Sequence, residues 1–132
     1  MAFANVKFLT PEEETIGLVQ GQMPDSIQEY WVSQALYRYD IPFMFQFELF
    51  GGRSRRGGLI VDFVVWNPMF SPVLVNGEYW HRGELTGGDK TALIAIADYF
   101  KVGIESIPIL WVKKDGQTKE DVFAWVRTNV AK

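Results

Sequence analysis

The sequence predicts an α/β fold in which helices cover both faces of a mixed central sheet. Strand-like and helical stretches follow one another in the order αβββαβα. The last three elements include a strand–helix–strand unit, and such a crossover joins parallel strands with a right-handed connection. Of the 132 residues, 48% are hydrophobic, which is enough for a packed core. Together these observations predict at least one parallel strand pair among antiparallel ones.

The first helix is expected between about residues 24 and 39. Pro24-Asp25-Ser26 is typical of a helix start, and the helix must end before Pro42. The stretch Ser26-Ile27-Gln28-Glu29 also fits a capping box, in which the glutamate accepts a hydrogen bond from an amide at the helix start. The sequence therefore leaves open whether Glu29 has this local role or a chemical one.

Regular alternation predicts that residues 43–50 form the first strand. One face would carry Phe43, Phe45, Phe47 and Leu49, and the other Met44, Gln46, Glu48 and Phe50. A glycine-flanked loop, 51–58, leads to a second strand, Gly58–Trp66, and a turn at 67–72 leads to a third, Val73–Asn76. The register of the first two strands decides whether Gln46 and Glu48 share a face with Asp62, and the sequence does not fix that register.

The second half of the chain predicts two helices around a short strand. Asp89 is a natural N-cap for the first of them, and Gly103 is its expected stop. A fourth strand is expected over Ser106–Val112. The final amphipathic helix should run over about 118–131, with Thr118 at its start.

Length and composition limit the classes of protein to consider. The length fits one domain over residues 1–132, with a core at about 24–112 and the C-terminal helix beyond it. No apolar run approaches the roughly 20 residues that span a bilayer, and no signal peptide opens the chain, so we expect a cytoplasmic protein with no membrane partner. There are no cysteines, so any metal must have oxygen or nitrogen ligands.

Asp62 is the first candidate for a functional residue, because it is the only charged residue in the apolar stretch Gly58–Trp66. A carboxylate in such a strand is costly unless it is hydrogen-bonded, paired or bound to a metal. The structural alternative is a bond to the arginines of the preceding loop, Arg53, Arg55 and Arg56. That loop is either a solvated hairpin or a phosphate-contacting segment, since guanidinium groups match phosphate oxygens.

The element order and several short motifs together resemble the PD-(D/E)XK nuclease superfamily, also called restriction-endonuclease-like. The closer resemblance is to the very-short-patch DNA repair endonucleases and their small relatives, and it covers about residues 26–111. The matching stretches are Glu29 in the first helix, Gly51-Gly52-Arg53, Val61-Asp62-Phe63-Val64, Gly77-Glu78-Tyr79-Trp80-His81 and Asp89-Lys90.

The resemblance implies a three-layer restriction-endonuclease-like fold and a Mg²⁺- (or Mn²⁺-) dependent endonuclease that hydrolyses DNA. It implies metal ligands at Asp62, at Glu29 and at the carbonyl of Val75, with oxygen donors of the kind magnesium prefers. The implied catalytic residues are Asp62, Asn76, Glu78, His81 and Glu29, and the implied substrate contacts are Arg53, Arg55, Arg56 and Lys90. The alternatives are an exposed turn acid for Glu78, a packed ring for His81, a strand-end cap for Asn76 and a solvated side chain for Lys90.

The chain also departs from the superfamily pattern. The usual Glu-x-Lys of the third strand corresponds here to Leu74 and Asn76. Asn76 also replaces the histidine that the repair enzymes have before the glycine, and either Glu78 or His81 could compensate. The alternative function is therefore a catalytically impaired nuclease-fold protein that binds nucleic acid or has a structural role. The strand at 43–50, apolar on both faces, also allows a homodimer. The net charge of −3 argues against a non-specific nucleic-acid binder but not against a nuclease, whose acids lower the pI.

Overall fold

The computed structural model describes residues 16–52, 58–66, 69–76, 87–112 and 117–131. The elements in chain order are α1 (Ile27–Arg38), β1 (Phe43–Leu49), β2 (Leu59–Trp66), β3 (Phe70–Asn76), α2 (Gly87–Phe100), a short 3-10 helix (Ile104–Ser106), β4 (Ile109–Trp111) and α3 (Lys119–Asn129). This confirms the predicted α/β class and the order of helices and strands. No helix within these ranges is both long enough and apolar enough to cross a bilayer.

The four strands form one mixed sheet in the order β1-β2-β3-β4. The first two pairs are antiparallel, whereas β3 and β4 are parallel, as the strand–helix–strand unit predicts. One hydrophobic cluster joins α1 and α3 to the sheet, with Trp31, Phe63 and Val126 among its buried members. A second cluster joins α2 to the sheet, with Val64 and Ile96 among its members. Helices therefore cover both faces.

The predicted alternation of β1 is wrong at its centre. Phe43 and Phe45 pack with the α1–α3 cluster, whereas Phe47 and Leu49 pack with the α2 cluster. Gln46 lies between the two pairs and has a φ of +53°, in the left-handed region. The facing strand changes face at the same level, since Phe63 packs with the α1–α3 cluster and Val61 with the α2 cluster. The left-handed Gln46 is therefore part of a change of face that both strands share.

β3 begins at Phe70, three residues before its predicted start, and includes Pro72. Proline is tolerated at a strand position whose amide has no ladder partner. The amide of Val75 points toward β2, and that of Leu74 bonds to Pro108 on the opposite side. By alternation, the nitrogen of Pro72 also faces away from β2, and β4 pairs with β3 only from Leu74 onward.

The later elements differ from expectation in their bounds. α2 begins at Gly87, so Asp89 lies within the first turn and is not the N-cap. The helix ends at Phe100, and Lys101 (φ +57°) has the left-handed conformation that was expected of Gly103. β4 is short because the 3-10 helix takes up the start of the predicted strand.

A tight turn lies along the outer edge of β1. Val19 and Gln22 exchange two backbone hydrogen bonds around Gln20 and Gly21, whose φ values are +49° and +80°. The Gln20 side chain donates to the Phe43 carbonyl at 2.7 Å and accepts from the Phe45 amide at 2.9 Å. Gln22 donates to the Phe45 carbonyl at 3.1 Å. Glutamine side chains thus occupy hydrogen-bonding positions that a further strand would use.

Candidate functional site

Asp62 lies where β2 and β3 diverge. The ladder between these strands ends with Phe63 opposite Val73. From Leu74 onward, β3 pairs with β4 on its other edge. The Asp62 carboxylate accepts a hydrogen bond through Oδ2 from the Val75 amide at 2.8 Å. A side-chain oxygen therefore satisfies an amide that a continued ladder would have bonded to a backbone carbonyl.

The carbonyl of Val75 is also expected near Asp62. In an antiparallel pair, two facing residues exchange both of their backbone hydrogen bonds, so the amide and the carbonyl of one strand residue point to the same side. The Val75 carbonyl is therefore expected on the side of β3 that faces Asp62. The family resemblance implied a backbone metal ligand at this carbonyl.

Glu29 reaches the same place from the first turn of α1. Ser26 caps the helix, since its Oγ accepts from the Glu29 amide at 3.2 Å. The Glu29 carboxyl does not complete a capping box with the Ser26 amide. Its Oε1 instead accepts a long bond, 3.5 Å, from the Asp25 amide. The Glu29 side chain also bonds to that of Gln46, and the residue is only 5% exposed. The predicted capping box is thus half formed.

Both carboxyls have raised pKa values, and Asp62 contributes to the rise at Glu29. Burial raises the pKa of Glu29 to about 8, and repulsion by Asp62 and Asp25 adds to the rise. Burial also raises the pKa of Asp62, to about 6, although the Val75 amide opposes the change. Asp62 ionises while Glu29 is still protonated, so the repulsion between them acts on Glu29. At pH 7 the pair therefore comprises an Asp62 carboxylate and a neutral Glu29 acid.

Gln46 is a member of this site that the sequence could not assign. Phe45 pairs with Phe63 and Phe47 with Val61, so Gln46 is the β1 residue opposite Asp62. Its side chain is 9% exposed and bonds to Glu29. The only signal in the sequence was a polar residue in an apolar strand, and using it required the register. Glu48, by contrast, pairs with Ile60 and is exposed.

No described contact joins the remaining predicted residues to Asp62 or Glu29. Lys90 is exposed in the first turn of α2. Asn76 ends β3, where its backbone pairs with Trp111 of β4. Five predicted site residues lie outside the described ranges: Arg53, Arg55, Arg56, Glu78 and His81.

The donor set fits a sparse magnesium site. Within the described ranges, no three His, Asp or Glu side chains are arranged to hold a metal ion. Magnesium, however, is often bound by one or two carboxylates and completes its octahedron with water and substrate phosphate. Asp62, Glu29 and the Val75 carbonyl offer oxygen atoms of the kind that such a site uses. These oxygen atoms suit magnesium, which keeps water ligands, better than an ion whose ligands must all come from the protein.

Searches among known protein families, curated proteins and solved structures found no match for this chain. The functional interpretation therefore depends on the geometry around Asp62. Three features support it: a buried carboxyl beside a half-buried one, a buried amide side chain and the end of the β2–β3 ladder.

Proposed function

We propose that this protein is a magnesium- (or manganese-) dependent endonuclease-like enzyme that hydrolyses DNA phosphodiester bonds, with a fold of the PD-(D/E)XK type. The observation that carries the proposal is the meeting of Glu29 and Asp62. These acids come from a helix and a strand far apart in the sequence, and they approach each other where β2 and β3 diverge. The element order αβββαβα and the antiparallel–antiparallel–parallel sheet are consistent with that fold.

Each predicted site residue has a defined task in this proposal. Asp62 is ionised at neutral pH and is oriented by the Val75 amide, so it would be the principal ligand. Glu29 would become a second ligand on losing its proton, and the Val75 carbonyl a third. A bound Mg²⁺ would polarise the scissile phosphate and lower the pKa of the attacking water. Arg53, Arg55, Arg56 and Lys90 are the proposed phosphate contacts, and Asn76, Glu78 and His81 the proposed groups for orienting the water.

The decisive test is Asp62→Asn in a cleavage assay on plasmid, nicked and branched DNA with Mg²⁺ or Mn²⁺. The amide retains an oxygen for the Val75 amide but has no charge for the cation. Cleavage is expected to fall about 100-fold or more, as for loss of a principal metal ligand. Glu48→Gln is the matched control, because Glu48 is an exposed acid on β1. If the Asp62→Asn variant cleaves DNA at the wild-type rate, the proposal is wrong.

The second candidate is a nuclease-fold protein that binds nucleic acid, or another protein, without cleaving it. Leu74 favours it, because Leu74 occupies the third-strand position where the superfamily has its second acid. It is 8% exposed and packs in the α2 cluster, so no ligand replaces that acid there. A Mn²⁺ titration followed by thermal unfolding separates the candidates, since only a metal-binding protein is stabilised. Absent stabilisation together with retained DNA binding would support the second candidate.

A further inference from the structure

Gln46 has a backbone conformation that is uncommon for a strand residue with a side chain. Its φ is +53°, whereas the pairing of Phe45 with Phe63 and of Phe47 with Val61 continues on either side. For residues other than glycine the left-handed region is unfavourable, and such residues concentrate at functional sites. The conformation therefore raises the question of what the Gln46 side chain does.

The side-chain amide of Gln46 bonds to a backbone carbonyl and to a carboxyl. Nε2 donates to the Met23 carbonyl at 3.3 Å, and the side chain also bonds to Glu29. A glutamine amide has two N–H groups, so one can be fixed by the backbone while the other is donated to a carboxyl. The segment before Met23 is itself attached to β1 through Gln20 and Gln22. The direction of the second N–H is thus set by backbone groups.

We propose that Gln46 is a positioning residue that holds the Glu29 carboxyl beside Asp62. The other described bond of the Glu29 carboxyl is the long one from the Asp25 amide, at 3.5 Å, so without the Gln46 amide little would hold that carboxyl in place. The Ser26 amide offers it another partner, because closing on that amide would complete the capping box. The role of Gln46 in metal binding rests on the proposed function, whereas its hold on Glu29 does not.

Calorimetric Mn²⁺ titrations of the wild type, Gln46→Met and Gln46→Gly test the role in metal binding. Both variants remove the amide, but glycine also relaxes the left-handed backbone, so a shared loss of affinity is not due to strain. Affinity should fall 10- to 100-fold in both, as is typical when a partner of a metal ligand is lost. The matched control, Gln22→Met, removes an amide whose bond within the described residues is to the Phe45 carbonyl of β1, and its affinity should stay within about twofold. Wild-type affinity in both Gln46 variants would overturn the proposal.

A second readout needs no metal. The carboxyl ¹³C resonance of Glu29 should move in Gln46→Met and stay in place in Gln22→Met, because Gln46 bonds to that carboxyl whereas the described bond of Gln22 is to Phe45. A resonance unchanged in Gln46→Met overturns the positioning role. If the wild type binds no Mn²⁺ but the resonance still moves, the proposed metal-dependent function fails and the positioning of Glu29 stands.

Discussion

The starts of α1 and α3 have the same local pattern and use it differently. Ser26 and Thr118 are the N-caps, and each accepts from the amide three residues later, at 3.2 Å and 3.1 Å. In α3, the exposed Asp121 carboxylate accepts a hydrogen bond from the Thr118 amide at 3.0 Å, and this bond completes a capping box. In α1, the Glu29 carboxyl turns instead to Gln46 and lies buried near Asp62.

The difference separates a structural acid from a functional candidate. Asp121 satisfies an amide in contact with water, at little desolvation cost. Glu29 gives up an available local bond and is buried next to another acid, which raises its pKa. Buried acids with raised pKa values are more common at functional sites than at helix caps, so Glu29 is the functional candidate of the two.

The largest expected effect concerns stability and pH. The folded-state pKa of Glu29 is raised from 4.5 to about 8, so its protonated form favours folding. That stability is fully present below pH 4.5 and is lost as the pH rises through 8, by about 3 to 5 kcal/mol in all. Glu29→Gln should therefore exceed the wild type in stability by that order at pH 9, and differ little at pH 4.5. Urea unfolding at both values measures it.

Asp121→Asn is the control for this prediction, because it changes the corresponding acid of α3. Its stability should follow the wild-type pH profile, displaced by a constant loss of capping. If Glu29→Gln also ran parallel to the wild type between pH 4.5 and 9, the contrast between the two helix starts would be wrong.

The next effect is stabilisation by metal, which rests on the proposed function. Saturating Mn²⁺, at about 100 times its Kd, should stabilise the wild type by about 2.7 kcal/mol. The gain should be larger at pH 8 than at pH 6, because a bound cation requires Glu29 without its proton. Thermal unfolding should show most of this gain lost in Glu29→Gln and kept in Asp121→Asn. Equal stabilisation of both variants would remove Glu29 from the metal site.

The smallest effect concerns the caps themselves. Thr118→Ala and Ser26→Ala should each cost about 1 kcal/mol, the usual value of an N-cap hydroxyl. In α3 the loss should be non-additive with Asp121→Ala, because Thr118 and Asp121 bond reciprocally. In α1, Ser26→Ala and Glu29→Ala should add, since no reciprocal box is formed there. Double-mutant cycles from denaturant midpoints measure both couplings, and a coupled pair in α1 would contradict the half-formed box.

Local patterns predicted the parts of the fold that local forces decide. The cap at Thr118 and the order of the elements follow from adjacent residues, and the structure confirms them. The conformation of Gln46 could not be predicted, because its partners are Met23 and Glu29, from a different segment. Pro72 was expected in the turn before β3. The strand can include this proline because β4 is too short to pair with β3 at that position, and the sequence does not show the length of β4. These errors arise where a distant segment decides a local conformation.

The same distinction applies to the site. Asp62 was a candidate because a charged group in an apolar strand can be seen in the sequence, and Glu29 because the family resemblance implied an acid in the first helix. Their proximity could not be predicted without the packing of α1 on the sheet and the pairing of β1 with β2. Gln46 entered the site only through that pairing.

The turn at Gln20 and Gly21 has a consequence for solubility. An uncovered outer strand is a template for growth of the sheet into dimers or fibrils. Here, the amide of Phe45 and the carbonyls of Phe43 and Phe45 are already engaged by side chains, which cannot themselves propagate a ladder. The side chains of Gln20 and Gln22 thus act as a cap against lateral polymerisation. Self-association by sheet extension at this edge would first require these side chains to leave the backbone of β1.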